Sequence, residues 1–419
     1  MNGLRLTFGA LAIATAVACT SHAQFLPGSS SYAIRARELG FAKPTPTPHA
    51  IIALGRLSGA STKSGMFIRV QLGGERPRPF LFDSGSQGFW MYANVFDPSA
   101  KGYKSTGVTA YNQYGSDITY SGTVYTGPIS FVDSNIGKLT TQDVPFVVVQ
   151  TAGCVTGTTC PATPSLDNCP NVFRHQRHAK DAGILCLEEG RKLFGTFGAD
   201  LEPTVEPKGA KGGPNTAVLY NTLYGLGSWA TSFMVNQTQL ELGPKPNLYR
   251  DFTTILMDQL PKPLPTKLPN EARGWLLHVH LCYHLAGYTK KLVCLPSLFD
   301  TGAADMSFRG SPPTTKSVPI YAPCNVLAKG IPATVTVESN GAAGPVLGSF
   351  ATGYTTNYDA VKFLKPKKGK PDYVNTGLTF FNRNEIYFDG VRGFIGLHAL
   401  SKPGNIGTSP CSKGAGPEA

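Results

Sequence analysis

Two short stretches far apart in the chain constrain it most: Phe80-Leu81-Phe82-Asp83-Ser84-Gly85-Ser86 and Leu298-Phe299-Asp300-Thr301-Gly302-Ala303. In each, an apolar, β-prone run stops at an aspartate followed by a hydroxyl residue and a glycine. That is the pattern of a buried strand entering a tight turn that holds the carboxylate in place. A single Asp-Ser-Gly or Asp-Thr-Gly is an ordinary turn tripeptide. Two of them behind the same Leu-Phe lead, in opposite halves of one chain, point to a pair of matching loops. Carboxylates brought close together cannot both ionise easily, so they share a proton and titrate as a coupled pair. One can then act as general base on water while the other acts as acid toward a carbonyl.

The surroundings of both loops are β in character. With 41% hydrophobic against 15% charged residues, a chain of 419 residues has enough apolar material for the cores of two domains. Met66 to Leu72 is β-prone, alternates sides from Ile68 and turns at Gly73-Gly74. The chain then returns as Phe80-Leu81-Phe82, a hairpin feeding the first loop. Gly85 offers the small residue that lets two such loops approach closely. Ser86 can hydrogen-bond the Asp83 carboxylate and favour its ionised form. Downstream, Thr216 to Tyr224 reads as a short helix and Trp275 to Tyr283 as a strand.

Running in this order from about Gly65 to Leu400, these motifs resemble the pepsin-like aspartic proteases. The resemblance implies a mostly β, two-lobed fold with the active-site cleft between the lobes. Residues 65–228 would form the N-terminal lobe, 229–405 the C-terminal lobe and 406–419 a flexible tail. Asp83 and Asp300 would be the catalytic pair that activates a water, with Ser84, Gly85, Ser86, Thr301 and Gly302 as their supporting loops. Tyr120, within the hairpin from Asp117 to Gly127, takes the position of the family's flap tyrosine. Trp90 stands where the family keeps a tryptophan behind the first loop, and both would face substrate. Phe194 to Gly198 and Asn375-Thr376-Gly377-Leu378 stand at the two apolar-apolar-Gly elements, with Thr196, Asn375 and Thr376 polar where the family is apolar. Ala303 replaces a common threonine, so Asp300 is expected to lack a hydroxyl donor, and Asp305 adds negative charge nearby. Both features are expected to let the pair hold its shared proton to higher pH. The implied activity is that of an aspartic endopeptidase, a hydrolase of polypeptides with no cofactor. The alternative is a non-catalytic pepsin-fold protein that binds or inhibits a partner.

Arg5, the apolar run Leu6 to Cys19 and Ser21-His22-Ala23 make residues 1–23 read as a signal peptide cleaved before Gln24. The expected location is therefore secreted or periplasmic, with lipid attachment at Cys19 as the lesser alternative. No later run reaches the roughly 18 apolar residues of a membrane span, so no stable membrane insertion is expected. Residues 24–64, basic and broken by Pro44 to Pro48, read either as a propeptide, as the resemblance implies, or as an extended leader over the back of the fold. Removing Cys19 leaves eight of nine cysteines, an even number that suits disulfides in an exported chain. Nearness pairs Cys154 with Cys160, Cys169 with Cys186 and Cys282 with Cys294, and makes Thr151 to Glu189 a disulfide-tied insertion. Two sets, Cys169, His175, His178, Cys186 and His278, His280, Cys282, His284, invite a metal reading; disulfides account for their cysteines more simply, and no metal is expected. The net charge of +12 is scattered along the chain without a nucleic-acid motif, so no nucleic-acid partner is expected and the charge suits an acidic surface partner or simple solubility; a polypeptide substrate and a monomer are what the resemblance implies.

Overall fold

Alternating burial sets up the hairpin that feeds the first aspartate. Along Met66–Leu72 the residues Met66, Ile68, Val70 and Leu72 point inward, and in Arg78–Asp83 Phe80 and Phe82 are fully buried. The two strands pair antiparallel with Met66 opposite Phe82. The computed structural model describes residues 49–56, 65–93, 96–114, 118–154, 185–186, 192–206, 217–243, 252–286, 292–310, 320–321, 326–327, 330–339, 342–353, 360–364 and 371–400. The segment before residue 49, most of the cysteine-rich insertion and the tail beyond residue 400 lie outside the described residues. So do the side chains that would test the Cys154–Cys160 and Cys169–Cys186 pairings.

Among the described residues, three large sheets carry the fold. A ten-stranded sheet built from residues between Gly55 and Gly198 holds the first loop, and a nine-stranded sheet between Val279 and Leu364, closed by Tyr373–Asn375, holds the second. Each uses the same local device. Gly195–Gly198 lies parallel to Arg78–Asp83 and antiparallel to Phe89–Tyr92, and so is inserted between the strands before and after Asp83. Tyr373–Asn375 likewise lies parallel to Val293–Leu298 and antiparallel to Met306–Arg309, on either side of Asp300. A strand from far along the sequence thus wedges each aspartate loop open.

The third sheet, of six strands, runs Ala50–Ala53, Gln239–Leu242, Ser232–Val235, Asn384–Asp389, Phe394–Ala399 and Thr253–Leu256. Its first strand comes from the segment read as propeptide or leader. Ala50 pairs with Leu242, Ala50 and Ile52 are fully buried, and Gly55–Arg56 continues into the ten-stranded sheet beside Met66–Leu72. These residues are therefore part of the sheet framework of the fold.

Two local expectations are corrected. Ala217–Leu219 is a short strand paired with Thr204–Glu206, and only Thr222–Leu226 is helical, as a 3-10 turn capped by Asn221 accepting the Leu223 N–H. The strand expected from Trp275 begins at Val279, because Trp275 is tied elsewhere: its indole N–H donates to the Gly390 carbonyl at 3.0 Å. In that strand Cys282 sits opposite Cys294 and is bonded to it, so it offers no thiolate to a metal.

An aromatic cluster backs the first loop. Phe82 and Phe197 stack at 6.1 Å, and Phe89 meets Phe80 at 4.8 Å and Phe197 at 5.6 Å. Because Phe82 is fully buried there, Phe82→Ala is expected to lower stability by about 3–5 kcal/mol through lost transfer energy and a cavity. Denaturant unfolding of the variant checks this; a change under about 1 kcal/mol contradicts this packing.

Candidate active site

The two wedged loops meet head to head. Ser84 N–H donates to Thr301 Oγ1 at 3.0 Å, and Thr301 N–H donates to Ser84 Oγ at 3.1 Å. The hydroxyls complete the set: Ser84 Oγ donates to the Phe299 carbonyl at 2.8 Å and Thr301 Oγ1 to the Phe82 carbonyl at 2.6 Å. Ser84 and Thr301 are both buried, so all four bonds are made away from water and fix one loop against the other.

This brace brings the carboxylates together. A methyl group on Gly85 would lie 2.6 Å from Asp300 Cγ, and one on Gly302 would lie 2.6 Å from Asp83 Cγ. Each carboxyl therefore packs on the glycine of the opposite loop, in space that no larger residue leaves open. Gly85 N–H donates to Asp83 Oδ1 at 2.9 Å and Gly302 N–H to Asp300 Oδ1 at 2.7 Å, so the loops present their acids in the same way. Both aspartates are buried. Burial first, then the charge of Asp300 and a hydrogen bond with it, push the Asp83 carboxyl well above its ordinary value of 3.8. The Ser86 hydroxyl and the Gly85 N–H oppose that rise. Ser86 Oγ faces Asp83 without completing a well-formed hydrogen bond, which leaves burial in charge of the direction.

Lys104–Gln113 and Ile118–Gly127 form the hairpin expected to hold the flap tyrosine. Tyr120 is buried, with its ring 4.8 Å from Tyr114, 6.3 Å from Tyr92 and 6.4 Å from Trp90. Tyr92 and Tyr120 share a hydroxyl contact at 3.4 Å, and the Trp90 indole N–H donates to the Gln87 carbonyl at 2.9 Å. Tyr120 and Trp90 thus lie in one aromatic wall, and the charge of Asp83 is felt by both Tyr114 and Tyr120.

The sequence reading missed Asn375. Its Nδ2 donates to Asp300 Oδ2 while its Oδ1 accepts the Gly377 N–H at 2.9 Å. Asp300, expected to lack a hydroxyl donor because of Ala303, receives an amide N–H from Asn375 in its place. Asp305 does not present a bare charge, because Lys362 Nζ lies 2.5 Å from its Oδ2. The polar residue at an otherwise apolar position was the signal that pointed to Asn375.

Comparison with protein-family models and with curated proteins found no match. Among solved structures, the aspartic proteinase from Irpex lacteus matches with a TM-score of 0.53 and 14% sequence identity, over 84% of this chain and 98% of that chain. At that identity the likeness speaks for the fold, which is mostly β and two-lobed, the pepsin-like fold with its cleft between the lobes.

Proposed function

We propose that this chain is an aspartic endopeptidase that cleaves polypeptides with a water activated by Asp83 and Asp300. The observation that carries this reading is the buried carboxyl pair, each member seated on the other loop's glycine and the two within hydrogen-bonding reach. One proton shared between them supplies an acid and a base at once. The base takes a proton from water as its oxygen attacks the peptide carbonyl, and the acid gives its proton to the carbonyl oxygen. Collapse of the tetrahedral species breaks the C–N bond, with a proton passing to the leaving nitrogen. The hairpin bearing Tyr120 would cover the cleft and exclude water while an extended peptide is held.

Export belongs to the same proposal: the Cys282–Cys294 disulfide and the fold are consistent with an extracellular protein. No metal or other cofactor enters the mechanism, and a monomer contains both acids. The test is incubation of the protein with a mixed peptide library from acid to neutral pH, with and without a statine-type inhibitor, read by mass spectrometry. Internal cleavage blocked by the inhibitor is expected. Intact peptides at every pH, with the inhibitor still bound, would instead identify a non-catalytic pepsin-fold binding protein.

A further inference from the structure

The two aspartate loops match in their glycine amides and in their brace, and then diverge. Three residues after Asp83, Ser86 faces the carboxylate; three residues after Asp300, Ala303 has no hydroxyl to offer. The donor to Asp300 comes from another strand. Asn375 pairs in parallel register with Leu298, two residues before Asp300, and its Nδ2 donates to Asp300 Oδ2. The orientation of this amide is determined by chemistry: the Gly377 N–H can only donate, so Oδ1 must face Gly377 and Nδ2 must face Asp300. Thr196 holds the corresponding register in the first lobe, opposite Leu81, but lies beside Tyr114 instead of the aspartate. One carboxylate of the pair thus receives a side-chain amide and the other does not.

We propose that Asn375 is a positioning residue that makes Asp300 the ionised member of the pair, hence the base, and leaves the shared proton on Asp83. The inference rests on the endopeptidase reading of the site. An amide N–H stabilises a carboxylate far more than a carboxylic acid, so the contact selects between the two proton placements open to the pair. The titratable groups around the pair are Asp200 with Glu202, Tyr114 and Tyr120 from the hairpin, and Asp305 with its Lys362 partner. A substitution at 375 leaves all of them in place.

The test is the pH profile of kcat/KM for Asn375→Leu, which keeps the volume and removes the donor. Protonation of the base sets the acid limb, which is expected to move toward neutral by about one pH unit. The alkaline limb marks loss of the proton from Asp83, with Asp300 ionised on both sides of it, and is expected to move by much less. Adding Ala303→Thr to Asn375→Leu places a hydroxyl where Ser86 stands in the other loop and is expected to return the acid limb toward its original position. Asn375→Ala removes the amide without adding bulk or charge, and is expected to move the acid limb the same way even if Asn375→Leu folds poorly. An acid limb that stays put in these variants, or an alkaline limb that moves as far, overturns the proposal while leaving the endopeptidase reading intact. Should the unsubstituted protein cleave no peptide, thermal unfolding decides. The stability lost in Asn375→Leu is expected to grow as pH rises from about 2 to 6, because the donor favours only the charged carboxylate. A loss that does not change with pH overturns the inference on its own.

Discussion

Asp83→Asn and Asp300→Asn are each expected to lower peptide cleavage by at least about 10²- to 10⁴-fold while the chain stays folded, because an amide supplies neither the acid nor the base. The effect on stability has the opposite sign for Asp83. Its folded-state value is raised well above 3.8, chiefly by burial, so between those two values the unfolded chain has released the proton and the folded chain has kept it. Stability contributed by this group is present at lower pH and falls as pH rises through that window. Asparagine has no such titration. Asp83→Asn should therefore gain in Tm relative to the unsubstituted protein on going from about pH 4 to neutral, even as activity is lost. Near-normal turnover in either variant sinks the protease assignment, and a Tm difference that does not change with pH contradicts the buried, proton-holding site.

Thr301→Val is the second large effect. It preserves shape but deprives the Phe82 carbonyl of its donor and the Ser84 N–H of its acceptor in a buried interface. Each orphaned group costs about 1–3 kcal/mol, so the variant is expected to lose about 2–6 kcal/mol, a substantial part of the 5–15 kcal/mol typical of a folded protein. Thr301→Ser keeps the hydroxyl and should lose much less. Catalysis is expected to fall with Thr301→Val as well, because the brace sets the distance between the carboxylates. Equal stability of the Val and Ser variants in denaturant unfolding would show that the four bonds do not hold the loops.

The parts of this molecule legible in its sequence are those governed by short-range rules. Period-two burial in Met66–Leu72, the turn residues after Asp83 and Asp300, and the glycines at 85 and 302 each act within a few residues of themselves. What was not legible depends on pairings between distant segments. Ala50–Ala53 offers only four residues of alternation, and its partner Gln239–Leu242 lies far downstream, so nothing local distinguishes it from the leader around it. The charge of Asp305 looked unopposed because Lys362 comes alongside only through the parallel pairing of Met306–Arg309 with Val361–Leu364. Asn375 was visible as a misplaced polar residue, but its contact with Asp300 follows from the register that sets it opposite Leu298.

Whether Asp83 and Asp300 act as one proton-sharing pair is decided by the dependence of kcat/KM on pH for a single defined peptide. A bell is expected, with an acid limb where the base is protonated and an alkaline limb where the shared proton is lost, and in Asp83→Asn cleavage lowered by at least about 10²-fold at every pH with no bell remaining. A profile with one limb, or a bell that survives in Asp83→Asn, would contradict such a pair.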